Sequence, residues 1–171
     1  MNKKNLSLNI SIATVSDSRT NLTDVSGKVL EKKIIESPHK LYTKSIIKDD
    51  IKKISSYLKE CVKNKNIDVI ITTGGTGLTG RDSTPDAVKQ IIEKEIDGFG
   101  ELFRMLSYQK IGTSALQSRA IAGIAKGKFI FAIPGSPSAC KDAWDGILKY
   151  QLDINYRPCN LVELIPRLLE K

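Results

Sequence analysis

Histidine and cysteine are scarce in this 171-residue chain, and their scarcity removes whole classes of chemistry. His39 is the only histidine, in a Pro38–His39–Lys40 turn that reads as a surface position. Histidine-based nucleophilic catalysis and histidine-ligated metal centres therefore have no support. Cys61, Cys140 and Cys159 are odd in number, widely spaced and without a Cys-x-x-Cys pair. They read as reduced packing thiols, on apolar helix faces or near the tail, in a cytoplasmic protein. Long apolar runs are also missing: none approaches the roughly eighteen residues that a membrane span needs. Met1–Asn2–Lys3–Lys4 imitates a signal peptide, but Ser7, Asn9 and Ser11 interrupt the apolar segment after it and Asp17 arrives before a cleavage site. Aromatic residues make up only 6% of the chain. That counts against nucleic-acid recognition despite a formal charge of +8. The lysines, among them Lys28, Lys32, Lys33, Lys52, Lys53, Lys59, Lys63 and Lys65, are spread over polar helix faces. Such a surface suits capture of anionic small molecules, with neither nucleic acid nor membrane as partner.

What is present is a globular composition, 40% hydrophobic and 27% charged. Residues 1–171 read as a single domain with a sizeable core and no repeat or linker. Leu8–Val15 reads as a first strand, then a helix from about Ser26 to Glu36 and a second strand, Lys40–Ile47. Asp49 or Asp50 caps a helix whose Ile51, Ile54, Leu58, Cys61 and Val62 share one face. Ile67–Thr72 is the third strand. Thr84 as N-cap with Pro85 at the first position starts another helix, with Val88, Ile91 and Ile92 on its buried side. Asp97–Gly98–Phe99–Gly100 reads as a break before a short helix containing Leu102, Phe103 and Leu106. Arg119–Ala125 and Lys128–Ile133 flank Gly127 as a hairpin, which adds one antiparallel strand. Ser136–Pro137 opens a helix with the apolar stripe Ala139, Cys140, Ala143, Trp144, Ile147 and Leu148. The tail Leu161–Leu169 is amphipathic, but Pro166 argues against a continuous helix. The alternation predicts a three-layer α/β/α sandwich on a mainly parallel sheet.

The richest stretch is Thr72–Asp86, where glycines 74, 75, 77 and 80 follow a strand and precede a helix. Such a loop exposes backbone N–H groups to an anion. Asp82 on its rim would repel phosphate unless a cation lay between them, so the loop points to nucleotide phosphate with a divalent metal. Gly75-x-Gly77-x-x-Gly80 matches the dinucleotide fingerprint in letters but lacks the later ribose-binding acid. Gly75-x4-Gly80 has phosphate-loop spacing, yet Arg81–Asp82 stands where Lys–Ser/Thr is required. In a parallel sheet Thr14–Asp17, Asp49–Asp50, Gly74–Asp82 and Pro134–Ser138 should meet at the carboxyl ends of the strands. Anion cradles and carboxylates without a histidine suit metal-assisted phosphoryl or nucleotidyl transfer.

With those residues in view, the chain resembles a known family. Thr72–Ala87, Gly98–Met105 and Pro134–Ala139, together with Thr14–Asp17, Asp24-x-Ser26–Gly27 and Gln117–Gly123, resemble the molybdenum cofactor biosynthesis proteins MoaB and MogA. Gly112–Ser114, Gln151–Asp153 and Arg157–Asn160 lie closer to the MoaB branch. The resemblance implies a molybdopterin-binding fold and molybdopterin adenylyltransferase activity, with ATP and molybdopterin as substrates and Mg²⁺ as the metal. It implies catalytic and metal-handling roles for Asp82 and Asp49, with Asp50 as the other candidate for the second acid. Gly74, Gly75, Thr76 and Gly77 would cradle phosphate or nucleotide. Thr14, Ser16, Asp17, Ser26, Gly27, Pro134, Gly135, Ser136 and Ser138 would complete the nucleotide and pterin pockets. It further implies a homo-oligomer, trimer or hexamer, and a downstream molybdate-inserting enzyme as partner. The alternative is a non-catalytic molybdopterin- or nucleotide-binding accessory protein of the same pathway.

Overall fold

The computed structural model describes residues 6–170, so the Met1–Lys4 stretch lies outside the described residues. Among the described residues six strands form one mixed sheet in the order β2-β1-β3-β6-β5-β4. They are β1 (Asn9–Val15), β2 (Lys40–Ile47), β3 (Val69–Thr73), β4 (Lys94–Glu95), β5 (Ile121–Ala125) and β6 (Lys128–Ile133). β2, β1, β3 and β6 are mutually parallel, while β5 pairs antiparallel with both β6 and β4. Only β5 therefore runs against the rest. The β5–β6 turn is Lys126–Gly127, both at positive φ (47° and 76°), the backbone a tight hairpin requires.

The period of two in β3 sends its residues to opposite faces. Val69 and Ile71 join a core with Ile10, Ile12, Leu30, Phe103, Phe131 and Trp144, beneath α1 (Val25–Ile35), α4 (Asp97–Ile111) and α5 (Pro137–Ala143). Ile70 joins a second core with Ile54, Leu58, Val88 and Ile130, beneath α2 (Ile51–Lys63) and α3 (Thr84–Lys89). The expected sandwich on a mainly parallel sheet with one antiparallel strand is thus observed. α5 continues through a π-turn, Trp144–Leu148, into the short α6 (Lys149–Gln151), and its stripe is buried from Cys140 to Leu148 as read. Among the described residues no helix is long and apolar enough to cross a membrane.

Several local expectations are corrected. Asp97–Gly100 does not break the chain: it is the first turn of a 15-residue helix. Glycine is tolerated there because a Cβ on Gly100 would lie 2.6 Å from the Ala120 carbonyl oxygen, while Phe99 and Phe103 are buried on the same side. Ser83, not Thr84, precedes α3, because the Thr84 hydroxyl is drawn inward to donate to the Gly74 carbonyl at 2.8 Å. His39 is not a surface residue. It is 8% exposed, and its Nδ1 accepts the Leu8 N–H, one of the backbone donors at the entry to β1. Burial pushes its pKa below the ordinary value, against an opposing pull from Asp153. The tail forms no continuous α-helix, as Pro166 suggests: it holds a 3-10 segment, Val162–Arg167, that contains Pro166.

Candidate active site

The chain leaves β1 for β2 on one side and returns for β3 on the other, so the sheet order reverses at β1 and opens a crevice at the carboxyl ends of β1 and β3. The loop after β3 lies in that crevice. Gly74 and Gly75 have φ of 101° and 62°, which fold the backbone back over the strand end. A Cβ on Gly74 would lie 2.3 Å from the Val15 carbonyl oxygen, and one on Gly75 would lie 2.6 Å from both Asp49 Oδ2 and Thr84 Oγ1. Glycine is thus demanded by contact as well as by dihedral angle.

Asp49 and Asp50 separate into two roles. Asp50 caps α2, its Oδ1 accepting the Lys53 N–H at 2.9 Å. Asp49 points the other way: its Oδ1 accepts the N–H and hydroxyl of Ser83 at 3.0 and 2.7 Å. Asp17 joins three loops, accepting the Asp49 N–H at 3.2 Å and the Arg81 guanidinium at 2.9 Å. The Arg81 hydrogen bond, then the Asp49 N–H, hold the Asp17 carboxyl below the usual range. Asp82 folds back on its own loop, with Oδ2 accepting the Thr79 hydroxyl at 2.6 Å and the Thr79 N–H at 2.9 Å. The Thr79 hydroxyl is the main reason that its pKa is lowered, and the Arg119 charge adds to it. Asp82 is therefore an anion at neutral pH.

Two clefts meet at Asp82. One, of about 450 Å³, is lined by Gly74–Gly77, Pro134–Ser136 and the facing stripe Phe103, Ser107 and Ile111 of α4. The other, of about 550 Å³, runs from Asp49 past Thr79–Ser83 to Asp86 and Arg119. The first has a glycine floor and a partly apolar wall, which suits a flat heterocycle carrying a phosphate. The second is edged by Asp49 and Asp82. Among the described residues no cluster of three His, Cys, Asp or Glu side chains could hold a metal ion by itself. Two hard carboxylates on one rim instead fit a cation that completes its shell with water and substrate phosphate.

Residues 11–153 match the family model described as a probable molybdopterin binding domain. The chain belongs to this family. It is 44% identical over 151 residues to molybdenum cofactor biosynthesis protein B of Escherichia coli (strain K12), covering 88% of this chain and 89% of that one. It is 45% identical over 150 residues to the probable molybdopterin adenylyltransferase of Methanocaldococcus jannaschii, covering 84% and 89%. The crystal structure of a molybdenum cofactor biosynthesis protein B matches with a TM-score of 0.88 at 37% identity, covering 99% of this chain and all of the other. These findings bear out the MoaB/MogA resemblance, and the role of this family member lies in molybdenum cofactor biosynthesis.

Within the molybdopterin-binding fold the expected site residues sort into three groups. Gly74, Gly75, Thr76, Gly77, Asp82, Pro134, Gly135 and Ser136 line the first cleft, and Asp49 and Asp82 the second. Asp17 lies beside the second through Asp49 and Arg81, while Ser16 accepts the Ser18 and Arg19 N–H groups in the turn after β1. Ser138 sits 3.2 Å from Ser136, whose hydroxyl caps α5. Thr14, Ser26 and Gly27 line neither cleft. They surround Asp24, a fully buried carboxylate that accepts the Thr14 hydroxyl at 3.0 Å, the Gly27 N–H at 2.8 Å and the Ser26 hydroxyl at 3.4 Å. They hold α1 to the end of β1. Asp24, Thr79, Ser83, Ser107 and Arg119 are not among the site residues expected from the sequence. The four-residue spacing of Phe103, Ser107 and Ile111 was a usable signal for the α4 wall. The Arg119 contacts had none, because they form across more than thirty residues of sequence.

Proposed function

We propose that the protein adenylylates molybdopterin. The terminal phosphate of molybdopterin attacks the α-phosphorus of ATP, a new P–O–P bond forms, and the bond to the β-phosphate oxygen breaks. Adenylylated molybdopterin and pyrophosphate are the products. The observation that carries this reading is the position of Asp82, an anion at the junction of one cleft suited to a heterocycle and one edged by carboxylates. An attacking phosphate is already ionised and needs no general base, in keeping with a site whose linings contain no histidine.

In this reading Gly74, Gly75, Thr76 and Gly77 hold phosphate, while Pro134–Ser136 and the α4 stripe hold a ring system. Asp49 and Asp82 would hold Mg²⁺, which supplies neutralisation of charge on the phosphate oxygens. Asp17 and Ser83 fix the direction of Asp49, and Thr79 fixes that of Asp82. The whole chain acts as one domain in the cytoplasm, and the product passes to a downstream molybdate-inserting enzyme. Large exposed apolar residues on and after α4, Leu102, Met105, Tyr108, Ile111 and Leu116, support assembly as a homo-oligomer, trimer or hexamer.

The test is pyrophosphate release and adenylylated product from purified protein with molybdopterin, ATP and Mg²⁺, with Asp82→Asn in parallel. Turnover by the wild type, reduced at least about 100-fold in the variant, is expected. Molybdopterin binding without product would replace the transferase by the accessory binding protein.

A further inference from the structure

Arg119 lies between the 3-10 segment Gly112–Gln117 and β5, and it gives its donors to the glycine loop and the helix that follows it. Its Nε donates to the Gly77 carbonyl at 2.7 Å and its Nη2 to the Asp82 carbonyl. Its Nη1 pairs with Asp86 in the first turn of α3 at 2.9 Å, and its backbone N–H donates to the Thr76 carbonyl at 3.0 Å. One residue thus grips the loop at its start, at its end and at the adjoining helix. The grip spans Leu78–Arg81, a segment whose Leu78 and Arg81 side chains are largely solvent-exposed.

Arginine is chemically suited to this task. Its planar fork can engage two carbonyls and a carboxylate at once, whereas a lysine ammonium is a flexible point charge. The side chain is 30% exposed, and its Nε, Nη1 and Nη2 each already donate to a protein acceptor. The segment before it contributes Ser114, Gln117 and Ser118 to the wall of the first cleft. Loop and wall are therefore tied together by this one side chain.

We infer that Arg119 is a positioning residue: it clamps the glycine loop to the opposite cleft wall and so sets where Asp82 stands between the two clefts. Its effect on turnover rests on the adenylylation proposed above, but the clamp itself does not, so two readouts are needed. The first is hydrogen exchange of the full-length protein. In Arg119→Lys and in Arg119→Gln the Thr79, Asp82 and Thr84 amides should exchange roughly tenfold faster or more, while amides of β1, β3 and β6 keep wild-type protection. The second is kcat for adenylylated product, expected to fall roughly 100-fold in both variants with little change in Tm. Wild-type exchange in the loop of Arg119→Lys would overturn the clamp, because charge without the fork would then suffice. Acceleration spread equally over the central strands would also overturn it, leaving a general stabilising role. If the wild type makes no product, adenylylation fails and the exchange result alone decides the clamp.

Discussion

The two ends of the parallel sheet use the same kinds of side chain for opposite purposes. At the end where the strands begin, polar groups are absorbed by the backbone. His39 accepts the Leu8 N–H, Asp68 accepts the Asn9 N–H at 2.8 Å, and Lys128 donates to the Asn64 carbonyl at 2.6 Å and to the Ile67 carbonyl. At the end where the strands finish, Asp17, Asp49 and Asp82 also accept hydrogen bonds, but from loops. There they tie the loops together, and Asp49 and Asp82 leave their carboxylates on the rims of the clefts. A charge that closes a strand end is structural. A charge that fixes a loop while keeping access to solvent is available for chemistry.

The comparison breaks most visibly at Gly75. Gly75→Ala places a methyl against Asp49 and Thr84 at a positive φ, so the loop must move. Turnover should fall roughly 100-fold, because displacement of a site by an ångström is enough for that. A calorimetric Tm within a few degrees of wild type would confirm that the damage stays at the open end. A large loss of Tm would show that this loop is as structural as the closed end.

Lys128→Met is the converse experiment. It removes the Lys128 donor from the buried Ile67 carbonyl, while the Asn64 carbonyl keeps the Ile67 N–H, and the expected cost is about 2 kcal/mol in urea denaturation, with turnover unchanged. Activity lost without loss of stability would contradict the division.

His39 gives a smaller, pH-dependent effect. Its pKa is lower in the folded than in the unfolded chain, so the unfolded chain takes up the proton first as pH falls. Its contribution is whole above the ordinary value of 6.5 and is lost as pH falls from there through the folded-state value. His39→Asn, which keeps a short acceptor but cannot be protonated, should flatten the fall in unfolding free energy between about pH 7 and pH 5.5. An identical slope in both proteins would remove His39 from that account.

The finest test concerns Asp82. Removing the Thr79 hydroxyl in Thr79→Val takes away the largest influence holding the Asp82 carboxyl down, so its pKa should rise toward the ordinary 3.8. Carboxyl NMR titration reads this directly. An unchanged Asp82 titration would mean that the backbone N–H donors and Arg119 dominate instead.

Much of this organisation was legible from residue types. The third strand, the stripe from Cys140 to Leu148, and the Ser136–Pro137 start all arise from apolar runs, period and cap chemistry. Other features were ambiguous for physical reasons. Asp49 and Asp50 are equivalent as caps by composition, and only the nearness of Ser83, 34 residues on, assigns one to the helix and the other to the cleft. Thr84 is as good a cap as Ser83 until Gly74 claims its hydroxyl. His39 in a Pro–His–Lys turn reads as exposed, because its partner Leu8 lies 31 residues earlier.

The sequence by itself determined every strand of the sheet but the two-residue β4, most of the helices, the glycine loop and the family, since these depend on short-range periodicity, backbone freedom and contiguous motifs. Only the tertiary structure decided that Asp24 is a buried anchor, that Asp82 stands where two clefts meet, and that Arg119 grips the loop. Those outcomes depend on contacts between chain-distant groups, which are set by how the loops pack at the ends of the strands rather than by any local pattern.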